Sequence, residues 1–227
     1  MTANKKNLFL LLGISLVTQA TTTLVGGLIG IGPFTDTGDM ADTMNNLAGN
    51  ISSVYIGIFL QIVTAIVIIG LAAALYQAGK SVSKTAAIIA FGFYLAEAIV
   101  HFIGQFVIFG IVEVSRQFVS IGDASLLTTA KLLFATRDFI GAVTMIPFGL
   151  GAILFYSLIT KAKVIPKWLG LWGLITVPFI LVGWSLEAFN VVSVPFALYV
   201  PYVPWEWVAG IYILIRGLKM SGSEEMV

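Results

Sequence analysis

Cysteine is absent from this chain of 227 residues, and histidine occurs once. Without cysteine the chain cannot form disulfides, iron–sulfur clusters, thiolate zinc sites or a covalently attached c-type haem. A single histidine leaves no pair of imidazoles for a b-type haem and no three-histidine metal site within one chain. The sequence therefore predicts no bound metal and no cofactor.

Charge is also scarce. Charged residues make up 10% of the chain and hydrophobic residues 59%, whereas ordinary soluble domains are about a quarter charged and about half apolar. The net charge of +1 offers no basic surface for a phosphate backbone, so nucleic acid is not a predicted partner. This composition excludes a soluble enzyme and a disordered protein, and it indicates an integral membrane protein in contact with the lipid bilayer.

The apolar residues gather in six runs, each long enough for the about 20 helical residues that cross a bilayer core. Lipid offers no partner for backbone amides, so each run is predicted to be a helix. We predict an all-α fold, a polytopic membrane helix bundle that forms one six-helix transmembrane domain over residues 1–227. The predicted spans are 8–31, 51–76, 86–112, 132–160, 168–191 and 199–218.

The first run also has features of a signal peptide, with a basic start and Thr18-Gln19-Ala20 as a candidate cleavage site. The apolar residues continue past that point to Ile31. A retained membrane span is therefore the preferred interpretation.

Basic residues set the predicted orientation. They gather before the first span, after the second, fourth and sixth spans, and rarely elsewhere. By the positive-inside rule both termini lie in the cytoplasm, in a multi-pass protein of the cytoplasmic membrane. Tryptophan and tyrosine near the span ends, Trp205 and Tyr202 among them, are predicted to anchor the helices at the two interfaces.

Two segments between spans are long enough to hold structure of their own. The first carries Asp36, Asp39 and Asp42, whose spacing does not match a calcium-binding EF-hand loop, so no metal site is predicted there. The second, residues 113–131, mixes apolar and charged residues. We predict that it forms an interfacial amphipathic helix that leads into the fourth span.

Polar side chains within the spans mark the candidate site, because ionisable groups are costly in lipid. Glu97, His101 and Gln105 recur every four residues, so they form one stripe on the third helix. At about 1.5 Å per residue, nearly all of the polar groups fall in the outer half of the spans. The candidate ligand-binding residues are Glu97, His101, Gln105, Arg137, Asp138, Glu187 and Glu206.

Three interpretations of these residues stay open. In the first, four of them pair with one another and hold the helices in register, namely Glu97, His101, Arg137 and Glu206. In the second, the polar residues line an outer-half pocket for a small molecule or a lipid. In the third, an intramembrane enzyme or a proton-coupled carrier is centred on Glu97, His101 and Glu206. An accessory role with a protein partner or as a homo-oligomer is a further expectation. Small residues let helices pack closely, within one chain or between chains, and the spans carry such glycines at Gly26, Gly27, Gly30, Gly149 and Gly151.

Two stretches of the sequence resemble a known family. They are FGLGAILFYSLITKAKVIPKWLGLWGLI, from Phe148 to Ile175, and WEWVAGIYILIRGLKM, from Trp205 to Met220. Both are similar to the family catalogued as domain of unknown function 4386. The resemblance implies a prokaryotic six-span membrane protein and brings no activity with it. Glu97 matches an acidic position of that family, whereas Tyr94 stands where an arginine is common.

Overall fold

The computed structural model describes residues 2–35, 37–189 and 191–222, and the described residues contain helices and no strands. The predicted all-α membrane bundle is therefore confirmed. One-turn 3-10 helices lie at Gly32–Phe34 and Phe196–Leu198. The α-helices are α1 (Thr2–Ile29), α2 (Met40–Gly49), α3 (Ile51–Gly79), α4 (Lys84–Ile121), α5 (Ser125–Lys161), α6 (Lys167–Ala188) and α7 (Trp205–Gly222).

Five helices, α1 and α3 to α6, are long and apolar enough to cross a membrane. Helix α7 has 18 residues, about 27 Å of length, and it includes the charged Glu206. It runs antiparallel to α1, since Glu206 bonds to Gln19 and Gly210 packs against Gly13 nearer the start of α1. The chain is therefore a multi-pass membrane protein whose sixth long helix lies alongside its first.

The segment between the third and fourth spans differs from the prediction. Residues 113–131 do not form an interfacial helix, because α4 continues to Ile121 and α5 begins at Ser125. Gly122 ends α4 with a positive φ of 68°, a conformation that glycine adopts without strain and that lets the chain reverse. With 38 residues, α4 is about 57 Å long, so the α4–α5 hairpin reaches well beyond a bilayer core of about 30 Å.

The helix α2 covers this projecting hairpin. Asp39 caps its first turn, because its carboxylate accepts the backbone N–H groups of Ala41 at 2.6 Å and of Asp42 at 3.3 Å. Met44 and Leu47 of α2 are buried in one cluster with side chains of α4 and α5. Of the three acids in this segment for which no metal site was predicted, Asp36 lies outside the described residues.

The predicted start of the sixth span was also wrong. Residues 199–204 form turns, and α7 begins only at Trp205. Pro201 and Pro204 explain the difference, because proline lacks the N–H that a helix interior requires and is tolerated near a helix start. The fifth span likewise ends as a helix at Ala188 rather than at 191.

The six long helices form a ring in the order α7, α1, α3, α4, α5, α6, and a smaller contact between α6 and α7 closes it. The basic segments share one end of this ring. Lys5 and Lys80 line the same surface depression, and Arg216 donates to the backbone carbonyls of Lys163 and Val164, each at 2.7 Å. This end corresponds to the predicted cytoplasmic side.

Glycine allows the closest helix contact in the ring, between α1 and α3. A Cβ on Gly57 would overlap the Cα of Gly30 and would lie 3.1 Å from the carbonyl oxygen of Gly26. Small residues at such a crossing let two backbones approach closely, and in lipid this packing is a main source of helix association. The outer end of α1 is therefore positioned by its close contact with Gly57 of α3.

We expect Gly57→Ala to destabilise the protein by about 2 kcal/mol, because the added methyl group has to separate two backbones. The matched control is Gly70→Ala on the same helix, where a Cβ meets no atom within 4 Å. Thermal unfolding of both variants in the same detergent measures the effect. Equal melting temperatures for the two variants would contradict the close contact.

Candidate functional site

An open groove of about 790 Å³ lies at the outer end of the ring, between α1 and α3 on one side and α5 and α6 on the other. Three of the predicted site residues line it, Arg137, Asp138 and Glu187. Gln61 and Trp184 complete its polar and aromatic wall. The groove brings together side chains from α3, α5 and α6 that are far apart in the sequence.

A second cavity of about 240 Å³ adjoins this groove. The two spaces share Gly27, Gln61 and Arg137 as lining residues. Gln105 of α4 lines the smaller cavity, so a fourth predicted residue belongs to the same connected space. We call this connected space the outer groove.

Arg137 is held at the groove by its own neighbour. Its Nε donates to the Asp138 carboxylate at 2.8 Å, and its guanidinium carbon lies 4.8 Å from the ring centre of Phe134. The ion pair with Asp138 replaces the predicted pairing of Arg137 with Glu97 or Glu206. Side chains adjacent on a helix point about 100° apart, and the length of the arginine side chain lets the two groups meet.

Glu187 fixes the loop that leaves α6. Its carboxylate accepts the backbone N–H of Val194 at 2.9 Å. Because this bond ties the loop back to the last turns of α6, Glu187 has a structural role in addition to its place on the groove wall.

His101 is tied to α3 rather than to the neighbouring acid on its own helix. Its Nε2 lies 2.9 Å from Oε1 of Gln61, and Nε2 of Gln61 donates to the carbonyl of Thr23 at 3.3 Å. Gln105 donates to the backbone carbonyl of His101 at 3.2 Å. In the predicted stripe on α4, His101 therefore faces α3, and Gln105 lines the outer groove.

Glu97 and Glu206 both lie beside one group of aromatic side chains in the interior of the ring. Glu97 follows Tyr94 by one helical turn on α4, and the rings of Tyr94 and Tyr202 both pack against Phe148. Glu206 accepts hydrogen bonds from Gln19 Nε2 at 3.2 Å and from the Tyr202 hydroxyl at 2.8 Å. The Tyr156 hydroxyl in turn lies 2.7 Å from that of Tyr202. Glu97 is 4% exposed, and its Oε2 has no hydrogen-bond partner among the described residues. We call this set the carboxylate cluster.

Aromatic rings surround the carboxylate cluster. Trp205 is fully buried, its ring centre lies 3.9 Å from that of Tyr156, and its indole N–H donates to the carbonyl of Leu169 at 2.7 Å. The prediction that Trp205 and Tyr202 are interfacial anchors was therefore wrong. Tyr156 was not a predicted site residue. Its place became visible only in the structure, where a Cβ on Gly173 of α6 would meet both the Tyr156 and the Trp205 rings.

The cluster lies deeper in the ring than the outer groove. Gln19 is eight residues before Gly27 on α1, which places it about 12 Å further toward the inner end. Among the described residues His101 has its short contact with Gln61, and no hydrogen bond joins it to Glu97 or Glu206. Within the described ranges no group of three or more metal-ligating residues is arranged to hold a metal ion.

We expect Tyr202→Phe to destabilise the protein by about 2 kcal/mol, because it removes a buried donor from a carboxylate and from a second hydroxyl. Tyr76→Phe is the matched control, since that ring packs on Phe91 away from the cluster. Thermal unfolding in detergent compares the two. If both variants melt like the parent, the Tyr202 bond does not hold α7 in place.

The comparisons with known proteins bear on the whole ring. The family model described as domain of unknown function (DUF4386) matches residues 11–217, which include α3 to α6 and most of α1 and α7. No curated protein and no solved structure gave a match. Because the family model covers most of the chain, this protein belongs to the DUF4386 family.

Proposed function

We propose that this protein binds a small polar molecule or a lipid head group in the outer groove, at the outer face of the cytoplasmic membrane. The observation that supports this proposal is the groove itself, about 790 Å³ in volume and located at the end of the ring opposite the basic segments. Ligand sites commonly have volumes of about 300–1,000 Å³ with a few converging polar groups on an otherwise apolar wall. The outer groove has both properties.

The groups in the groove favour a ligand that carries both signs of charge. Asp138 accepts from Nε and Nη2 of Arg137, which leaves the N–H groups of Nη1 for an acidic group of the ligand. Glu187 and Asp138 offer carboxylate oxygens to an amine or a hydroxyl, and Trp184 offers an aromatic face. A zwitterionic lipid head group and a free zwitterionic solute share this chemistry.

Ligand binding is favoured over the enzyme or proton-coupled carrier centred on Glu97, His101 and Glu206. That alternative requires the imidazole to exchange protons with at least one of the two carboxylates. The short contact of His101 is instead with Gln61, at 2.9 Å. The groove residues, by contrast, already face one open space.

We expect Arg137→Gln to weaken ligand binding about tenfold or more, as the loss of one charge-assisted bond of about 1.4 kcal/mol predicts. Native mass spectrometry of the protein released from nanodiscs of phosphatidylethanolamine and phosphatidylglycerol measures bound lipid. Released small solutes are identified by mass from the same sample. A lipid adduct points to the head group, and a solute that survives delipidation points to the free zwitterion.

Arg116→Gln is the matched control, because Arg116 also pairs with a nearby acid, Glu113 at 3.1 Å, but lies on the projecting part of α4. Ligand occupancy that falls in the Arg137 variant and stays at the parent level in the Arg116 variant supports the outer groove. The proposal fails if both variants keep the parent occupancy, or if the parent carries no ligand in any lipid mixture.

A further inference from the structure

The carboxylate cluster has no positive partner among the described residues. Apart from each other, the titratable groups that interact with Glu97 and Glu206 are three tyrosines, Tyr94, Tyr156 and Tyr202. Tyr94 comes from α4, Tyr156 from α5, and Tyr202 from the turn before α7. From α1, the neighbour of Glu206 is the uncharged Gln19.

The nearest candidate cations are engaged elsewhere. His101 bonds to Gln61, Arg137 pairs with Asp138, and Arg216 donates to two backbone carbonyls at the inner end of the ring. Two ionised carboxylates in the middle of a lipid-embedded bundle would carry a large desolvation cost and would repel each other. The cluster therefore needs one added positive charge.

We propose that Glu97 and Glu206 form a proton-binding site in the interior of the ring. The proton resides on Glu97, and Glu206 keeps the negative charge. Proton binding here neither requires nor follows from ligand binding in the outer groove.

Hydrogen bonding supports this division of roles. Glu206 receives two donors, from Gln19 and from Tyr202, and hydrogen bonds from donors stabilise the ionised form of a carboxyl group. Glu97 is buried, and its Oε2 receives no donor among the described residues. A protonated carboxyl group supplies its own donor and has no need of one from outside.

The cluster also contains an acceptor for that proton. Gln19 is 5% exposed, and its amide oxygen is a buried acceptor without a described partner, while its amide nitrogen donates to Glu206. An amide can accept a hydrogen bond on one side and donate on the other. Gln19 thus places an unused acceptor beside Glu206, within the cluster.

The size of the site favours a proton over an organic cation. Around the cluster, the Trp205 ring lies against Tyr156, and Tyr94 packs edge-on against Phe155 with the ring centres 5.1 Å apart. Tyr94, Tyr156 and Trp205 are each at most 1% exposed. A bound amine would have to displace these side chains, whereas a proton needs no added volume.

Infrared difference spectroscopy of the full chain in nanodiscs tests the proposal. We expect the carbonyl band of a protonated carboxylic acid at about pH 7, where exposed acids are ionised. The band should disappear in Glu97→Gln and persist in Asp42→Asn, since Asp42 is an exposed acid on α2, outside both the cluster and the outer groove. A parent protein without the band at that pH would overturn the proposal, and so would a band that survives in both Glu97→Gln and Glu206→Gln.

Three further measurements make the result specific. Glu97→Asp keeps the acid and should keep a shifted band, so loss of signal through misfolding of the glutamine variant would be recognised. A band lost in Glu206→Gln but retained in Glu97→Gln would overturn the assignment to Glu97. Replacement of choline by sodium at constant ionic strength should leave the band unchanged, and loss of the band with sodium would make the bound species a metal cation.

Discussion

Lipid supplies no hydrogen bonds, and this constraint governs how the polar side chains of the ring are placed. Glu206 is two residues into α7, yet it is stabilised by Gln19 from α1, a residue 187 positions earlier in the chain. That contact joins the first and last long helices and lets the cluster draw on α1, α4, α5 and α7. The aromatic side chains around it follow from the same requirement, because they fill the interior with groups that also carry a donor.

The two polar regions of the ring differ in their relation to solvent. In the outer groove a charged pair is formed between adjacent residues, and the side chain of Asp138 is 64% exposed. In the carboxylate cluster aromatic side chains surround the acids, and Glu206 accepts hydrogen bonds from the uncharged Gln19 and Tyr202. A site such as the outer groove can exchange a ligand with its surroundings. A site such as the carboxylate cluster can gain or lose charge without taking up or releasing a ligand.

Much of the architecture could be predicted because long apolar runs have few structural solutions in a bilayer. Residue counting along α6 also predicted that Glu187 lies in the outer half, where it lines the groove with Arg137 and Asp138. The hydrogen-bond partners of these side chains could not be predicted, since helical periodicity assigns Glu97 and His101 to one stripe without saying which helix faces each of them.

The residues 113–131 show a related limit. Their mixture of apolar and charged side chains suits an interfacial helix and a projecting hairpin equally, and the packing of α2 against the hairpin decides between the two.

The closure between α6 and α7 has a mechanical consequence. Around most of the ring, neighbouring helices pack along their lengths. Between α6 and α7 much of the connection is made by the intervening loop. The Trp172 indole N–H donates to the carbonyl of Pro201, and the Glu187 carboxylate accepts the N–H of Val194. A wall held by a few directional bonds yields before one held by continuous packing. If the ring opens toward the surrounding lipid, we expect it to open between α6 and α7, beside the outer groove and above the carboxylate cluster.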